Sequence, residues 1–157
     1  MDWTESPLIA AYFAVRSGGF DDKFIATDAA IYGVPCPPVI TDKDDPIKCS
    51  NDVVAYFAPH LTTRITNQRG LFTYHKRPDE AYAPAALVKW TIPSKVCMNL
   101  KVVLDKCGVH AASMFPDLGG IAEHVGWLVK WQLPKTVDVE PAATATAAAS
   151  IQDIKAL

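Results

Sequence analysis

The clearest apolar periodicity opens the chain. Over Ser6 to Arg16, Ile9, Tyr12 and Phe13 recur at helical spacing, Arg16 continues the row, and Ala10, Ala11 and Ala14 permit close packing. Ser6 suits the helix cap, Pro7 the first turn, and Gly18-Gly19 the stop. Ile31 to Val34 and Val53 to Ala58 read as strands. Between them Pro35 to Ser50 holds four prolines and the Asp42-Lys43-Asp44-Asp45 run, which predicts a long polar connector. His60 to Arg69 reads as a short helix or turn broken by Gly70, and Leu71 to His75 as a strand. In Leu87 to Ile92 the side chains alternate, with Leu87, Lys89 and Thr91 on one face and Val88, Trp90 and Ile92 on the other. A helix capped by Ser94 follows to Cys107, with Val96, Leu100, Val103, Leu104 and Cys107 as its apolar stripe and Gly108 beyond its end. Asp117 caps a last helix, whose expected buried face is Leu118, Ile121, Ala122, Val125, Leu128 and Val129. It fades near Trp131, before Pro134.

Helices and strands in this order predict an α+β fold, a mixed sheet with flanking helices. Residues 1–134 form the predicted domain, and 135–157 an Ala- and Thr-rich flexible tail. The first helix has no strand before it, yet its apolar face needs a partner, and Trp3 is a large side chain that calls for burial. The pattern therefore reads as a domain truncated at its N-terminus. An uncovered Trp3, Ile9, Tyr12 and Phe13 would favour self-association or a complementing N-terminal segment.

Composition narrows the class. Apolar residues make up 50% of the 157, enough for a core, and charged residues 20%. Fifteen Lys and Arg against seventeen Asp and Glu give a net charge of −2, which argues against general nucleic-acid binding. No stretch approaches the roughly 20 apolar residues of a membrane span, and Met1 to Glu5 carries no basic leader. These features predict a soluble, cytoplasmic protein with no membrane partner.

The four cysteines form no C-x-x-C pair. Cys97 and Cys107 share a predicted helix and would lie about 15 Å apart, too far for a disulfide. Cys36 and Cys49 flank the connector and could meet, although nothing requires it. Free thiols are expected, and no cysteine zinc site. His60, His75, His110 and His124 are scattered, so a metal site would need tertiary folding to bring them together; none is expected. The phosphate-binding, zinc-protease and nucleophile-elbow motifs are missing from the sequence.

Several segments resemble the FRG domain family. Asp2-Trp3-Thr4-Glu5-Ser6-Pro7-Leu8-Ile9-Ala10-Ala11-Tyr12-Phe13-Ala14 is similar to the family's Asp-Trp-Thr segment and following helix. Arg64-Ile65-Thr66-Asn67-Gln68-Arg69-Gly70-Leu71-Phe72-Thr73 resembles its later Arg-Ile-x-x-Gln-x-Gly-x-Phe-Thr segment. Trp90 to Pro93, the Lys95 to Gly108 helix and Phe115 to Gly120 add further likeness, over residues 2 to 127. The family's aromatic-Arg-Gly and Gln-His-x-Gly-Leu-Pro-Thr-Arg motifs are absent, which matches the truncated reading. The family occurs mostly in bacteria and phages. By analogy with Arg-Ser-Glu ADP-ribosyltransferases, Asp2-Trp3-Thr4 takes the place of the Ser-Thr-Ser strand and Gln68-Arg69-Gly70 that of the Gln/Glu-x-Glu loop. Gly70 then stands where a carboxylate would stabilise the oxocarbenium-like centre, and glycine has no side chain to do so.

The resemblance implies Asp2, Trp3, Thr4, Arg64 and Gln68 as candidate ligand-binding residues and NAD as the candidate cofactor. Each has a structural alternative. Asp2 can fray or cap, Trp3 can be core, Thr4 can serve helix entry, and Arg64 and Gln68, four apart on one helix face, can brace a neighbouring element. Asp117 reads as a cap, Glu123 as solvent-facing and His75 as a surface residue. Two functions follow: a nucleotide- or NAD-handling domain whose site needs the upstream motifs, or a non-enzymatic binding or regulatory module, such as one in phage–host conflict.

Overall fold

The structure, a computed structural model, describes residues 1–16, 27–59 and 62–131. The Gly18-Gly19 stop, His60 and the 135–157 tail lie outside them. The fold is α+β. Its elements are β1 (Asp2–Thr4), α1 (Pro7–Arg16), β2 (Ala29–Gly33), β3 (Val39–Ile40), β4 (Val53–Tyr56), α2 (Thr63–Asn67), β5 (Gly70–His75), β6 (Val88–Ile92), α3 (Ser94–Lys106), α4 (Ala111–Met114) and α5 (Leu118–Trp131). A mixed four-stranded sheet runs β1-β5-β4-β3, with β3 parallel to β4 and the other pairs antiparallel. β2 and β6 form a separate antiparallel pair, in register from Ala29 opposite Ile92 to Gly33 opposite Val88.

The main core gathers Ile9, Ala11, Tyr12 and Val15 of α1, Cys97 and Leu104 of α3, Met114 of α4 and Phe115 just after it. Ala29, Ile31 and Ile92 of the two-stranded sheet pack against it. The apolar face of α1 is therefore covered by later elements, which corrects the expectation that Ile9 and Tyr12 lie open. Phe13, as expected, and Leu8 on the same helix remain exposed.

On α5 the expected face is reversed. Leu118 is 86% exposed, and Ile121, Val125 and Val129 are exposed too, while Gly120 and Trp127 are buried. A Cβ on Gly120 would fall 2.0 Å from the Phe115 carbonyl oxygen and 2.9 Å from that of Ala111. α5 thus meets α4 through a contact only glycine allows, a signal that apolar periodicity does not carry. On α3, Cys97 and Leu104 are buried while Val96, Val103 and Cys107 are exposed. Apolar residues flank that helix on more than one side, and tertiary packing selects the side.

The ends of the helices show similar exchanges. Ser94 does not cap α3; its backbone N–H donates to the Asp28 carboxylate at 2.9 Å, so the cap comes from the segment before β2. Asp117 does cap α5, accepting from the Gly120 N–H at 2.8 Å. Gly108 follows α3 at φ 78°, as its position predicts. Glu123 is half-buried and ion-paired to Arg16 at 2.9 Å rather than solvent-facing, because α1 presents Arg16 to α5. All four cysteines are free.

Gly120→Ala should destabilise the fold by about 3 kcal/mol, the upper range of overpacking costs, because backbone must move. Gly119→Ala, whose Cβ would meet the exposed Asp117 carboxylate at 3.2 Å, should be far milder. Urea unfolding of the two variants checks the contrast.

Candidate functional site

The five residues selected from the sequence line one cleft of about 520 Å³, together with Ala10, Phe13, Ala14, Ala30, Ile31 and Tyr32. The pairing of β1 with β5 assembles it. Thr4 lies opposite Gly70, Trp3 opposite Leu71 and Asp2 opposite Phe72. The Thr4 hydroxyl donates to the Gln68 carbonyl at 2.8 Å and accepts from the Ser6 N–H at 3.1 Å. One side chain thereby ties the end of α2 to the start of α1. Arg69, at φ 44°, turns the chain from α2 into β5, a left-handed conformation that a non-glycine residue rarely adopts. The Met1 ammonium donates to the Thr73 carbonyl at 2.9 Å. Asp2 is held in a strand and neither frays nor caps a helix.

Trp3 is half-buried. Its indole Nε1–H donates to Thr73 Oγ1 at 3.0 Å, and its ring meets Tyr82 edge-on, with centroids 6.3 Å apart. Gln68 donates through Nε2 to the Met114 carbonyl at 2.9 Å, and Asn67 through Nδ2 to that of Ser113 at 2.7 Å. These bonds brace α2 against α4 and commit one donor of Gln68 to structure. The Arg64 guanidinium lies over the Phe115 ring, 4.7 Å from its centroid, and Arg16 lies 4.1 Å from the same centroid. Arg16 is neutralised by Glu123. Among the described residues no carboxylate forms an ion pair with Arg64.

Tyr32 and Phe13 complete the aromatic lining. Sequence reasoning gave Tyr32 no functional weight, because its place depends on how the β2–β6 pair docks on α1. Gly33 lies under Trp90, where a Cβ would meet the ring at 2.7 Å.

A second constellation lies away from this cleft. Asp105 of α3, His110 before α4 and His124 of α5 present ligand atoms that all lie within 4.8 Å of one another. The two imidazoles stack at 14°, centroids 3.9 Å apart, and His124 Nδ1 is 3.5 Å from Asp105 Oδ1. They border a cavity of about 20 Å³ shared with Tyr12, Lys101, Glu123 and Trp127. Burial, followed by the charge of Glu123, pushes the Tyr12 phenol up to about 12. Burial lowers the pKa values of Lys101 and His110, and His124 adds to the shift of His110. Sequence spacing carried no sign of this cluster, since its members meet only through packing of three separate segments.

The chain matches no family model, no curated protein and no solved structure.

Thr73 links the cleft to His75. Its hydroxyl oxygen, which accepts from Trp3, lies 2.8 Å from His75 Nε2. Neutral His75 can accept the threonine proton, so the chain runs from Trp3 to Thr73 to His75. Burial, and then repulsion by the N-terminal ammonium, lower the His75 pKa. The unfolded chain therefore takes up this proton first. The His75 contribution should be full above about pH 6.5 and be lost as pH falls through the lower folded value. Subtracting the urea-stability curve of His75→Gln from that of the parent across this range should isolate that loss.

Proposed function

We propose that the Asp2–Trp3–Thr4–Arg64–Gln68 cleft binds a nucleotide of the NAD class, in keeping with the FRG-like pattern of the sequence. The observation that carries this reading is the convergence of those residues on one cleft in which Arg64 has no ion-pairing carboxylate among the described residues. The volume lies within the usual range of small-molecule pockets, roughly 300–1,000 Å³. Trp3, Phe13 and Tyr32 supply flat apolar surface for a base or nicotinamide ring. A planar guanidinium suits bidentate contact with a phosphate, and its place over Phe115 holds it ready. Asp2 supplies an acceptor for ribose hydroxyls.

The chemistry this chain supplies is binding rather than transfer. Gly70 sits beside Thr4 in the β1–β5 ladder and offers no carboxylate to an oxocarbenium-like centre. That observation favours a non-enzymatic role for the nucleotide-handling cleft, which joins it to the second reading of a binding or regulatory module, over a transferase acting through these residues alone.

NAD in excess of its dissociation constant should raise Tm, as must any ligand selective for the native state. Arg64→Ala should weaken binding about tenfold or more, from loss of a charge-assisted hydrogen bond, while Arg64→Lys should retain part of the affinity. No shift of the parent protein at millimolar NAD or ADP-ribose would refute the proposal. ADP and nicotinamide mononucleotide, tested separately, would show which half of the ligand the cleft takes.

A further inference from the structure

We propose that Asp105, His110 and His124 form a binding site for a zinc-class divalent cation, tying α3, the segment before α4 and α5 together. Two imidazoles and one carboxylate are the donor set that suits Zn²⁺ and its neighbours, and three protein ligands leave one position for water. The 3.5 Å between His124 Nδ1 and Asp105 Oδ1 is close to the roughly 3.3 Å that separates two ligands on a tetrahedral ion with bonds of about 2.0 Å. All three ligand atoms fall within 4.8 Å of one another, so moderate inward movement completes the set.

The adjoining cavity gives an independent reason. Tyr12 is 2% exposed, and among the described residues its hydroxyl has no hydrogen-bond partner; nor does the buried Trp127 Nε1–H. Buried polar groups of this kind are normally satisfied. Both side chains border the cavity of about 20 Å³ beside the cluster, and such a volume holds one water. A cation-bound water there can donate to the Tyr12 oxygen and accept from the Trp127 indole, satisfying both groups at once.

Binding has a definite structural consequence. The imidazoles are stacked nearly parallel, so their in-plane lone pairs do not converge, and one ring must turn about its side-chain torsion. His110 Nδ1 now accepts from the Ser113 N–H at 3.3 Å. Ligation through Nε2 moves the ring proton to Nδ1 and ends that long hydrogen bond. The charged groups around the cluster oppose each other: Asp105 and Glu123 attract the ion, Lys101 repels it, and Arg16 offsets Glu123.

The probe is Zn²⁺ alone, with Co²⁺ as its spectroscopic substitute, added to the full chain with Cys36, Cys49 and Cys107 changed to Ser so that thiols do not compete. One equivalent should bind, raise Tm by about 5 °C or more when in large excess over its dissociation constant, and give Co²⁺ a visible absorption band without thiolate charge transfer. The Ser113 amide resonance should move. His124→Ala and Asp105→Asn should each weaken binding at least tenfold, Lys101→Met should strengthen it, and His75→Ala should leave it unchanged. If a ligand variant fails to fold, Lys101→Met and the Ser113 resonance still decide the question. Absence of binding by the chain with those three cysteines replaced, a Ser113 resonance that stays in place, or binding that survives folded His124→Ala and Asp105→Asn would overturn the proposal.

Discussion

The pairing of three residues, Asp2 to Thr4, with β5 is the constraint on which the candidate site depends. An isolated edge strand this short has little intrinsic stability. Here it is secured from both ends and by side chains: the Met1 ammonium and carbonyl engage Thr73, Trp3 reaches the Thr73 hydroxyl, and Thr4 reaches the Gln68 carbonyl. Because α1 starts only three residues later, fixing β1 also fixes where α1 begins. Phe13 and Ala10 consequently border the same cleft as Arg64, although more than fifty residues separate them. Thr73, buried and polar, is tolerated because it is hydrogen-bonded.

Much of the fold was legible because it follows from local rules. The α1, β4, β5 and β6 segments, the Asp117 cap and the Gly108 terminus all stand close to where residue pattern places them. What failed was the choice of face. Residues 94–107 carry apolar side chains on more than one side, so the burial of Cys97 over Val96 is a tertiary decision. On α5, Leu118, Ile121, Val125 and Val129 form a plausible stripe, yet the close approach of α4 is set by Gly120, whose contribution is the side chain it lacks. β1, β3 and α4 were also missed, so the first helix does have a strand before it; three, two and four residues are too few to show a period.

The candidate cleft was legible in part for the same reason. Arg64 and Gln68 share a face at a spacing visible in the sequence, and Asp2-Trp3-Thr4 stood out by resemblance. Tyr32 did not, because a two-stranded sheet has to form and dock before that ring has a place. The Asp105, His110 and His124 cluster lies further beyond local inference. Its members are five and fourteen residues apart in sequence, and only the packing of α3 and α5 makes them neighbours.

Arg16 and Arg64 provide an internal comparison that bears on the nucleotide reading. Both guanidinium groups lie over the ring of Phe115, so stacking alone does not distinguish them. Arg16 also donates through Nε and Nη2 to both carboxylate oxygens of Glu123, and that bond is the leading cause of its raised pKa. An arginine bound in this way through two nitrogens would have to give up a charge-assisted pair before meeting an external anion. Arg64, which borders the cleft, has no such pair among the described residues to give up. Phe115 restricts its position without neutralising it, and that combination lowers the ordering cost of an incoming anion while keeping the charge that attracts it.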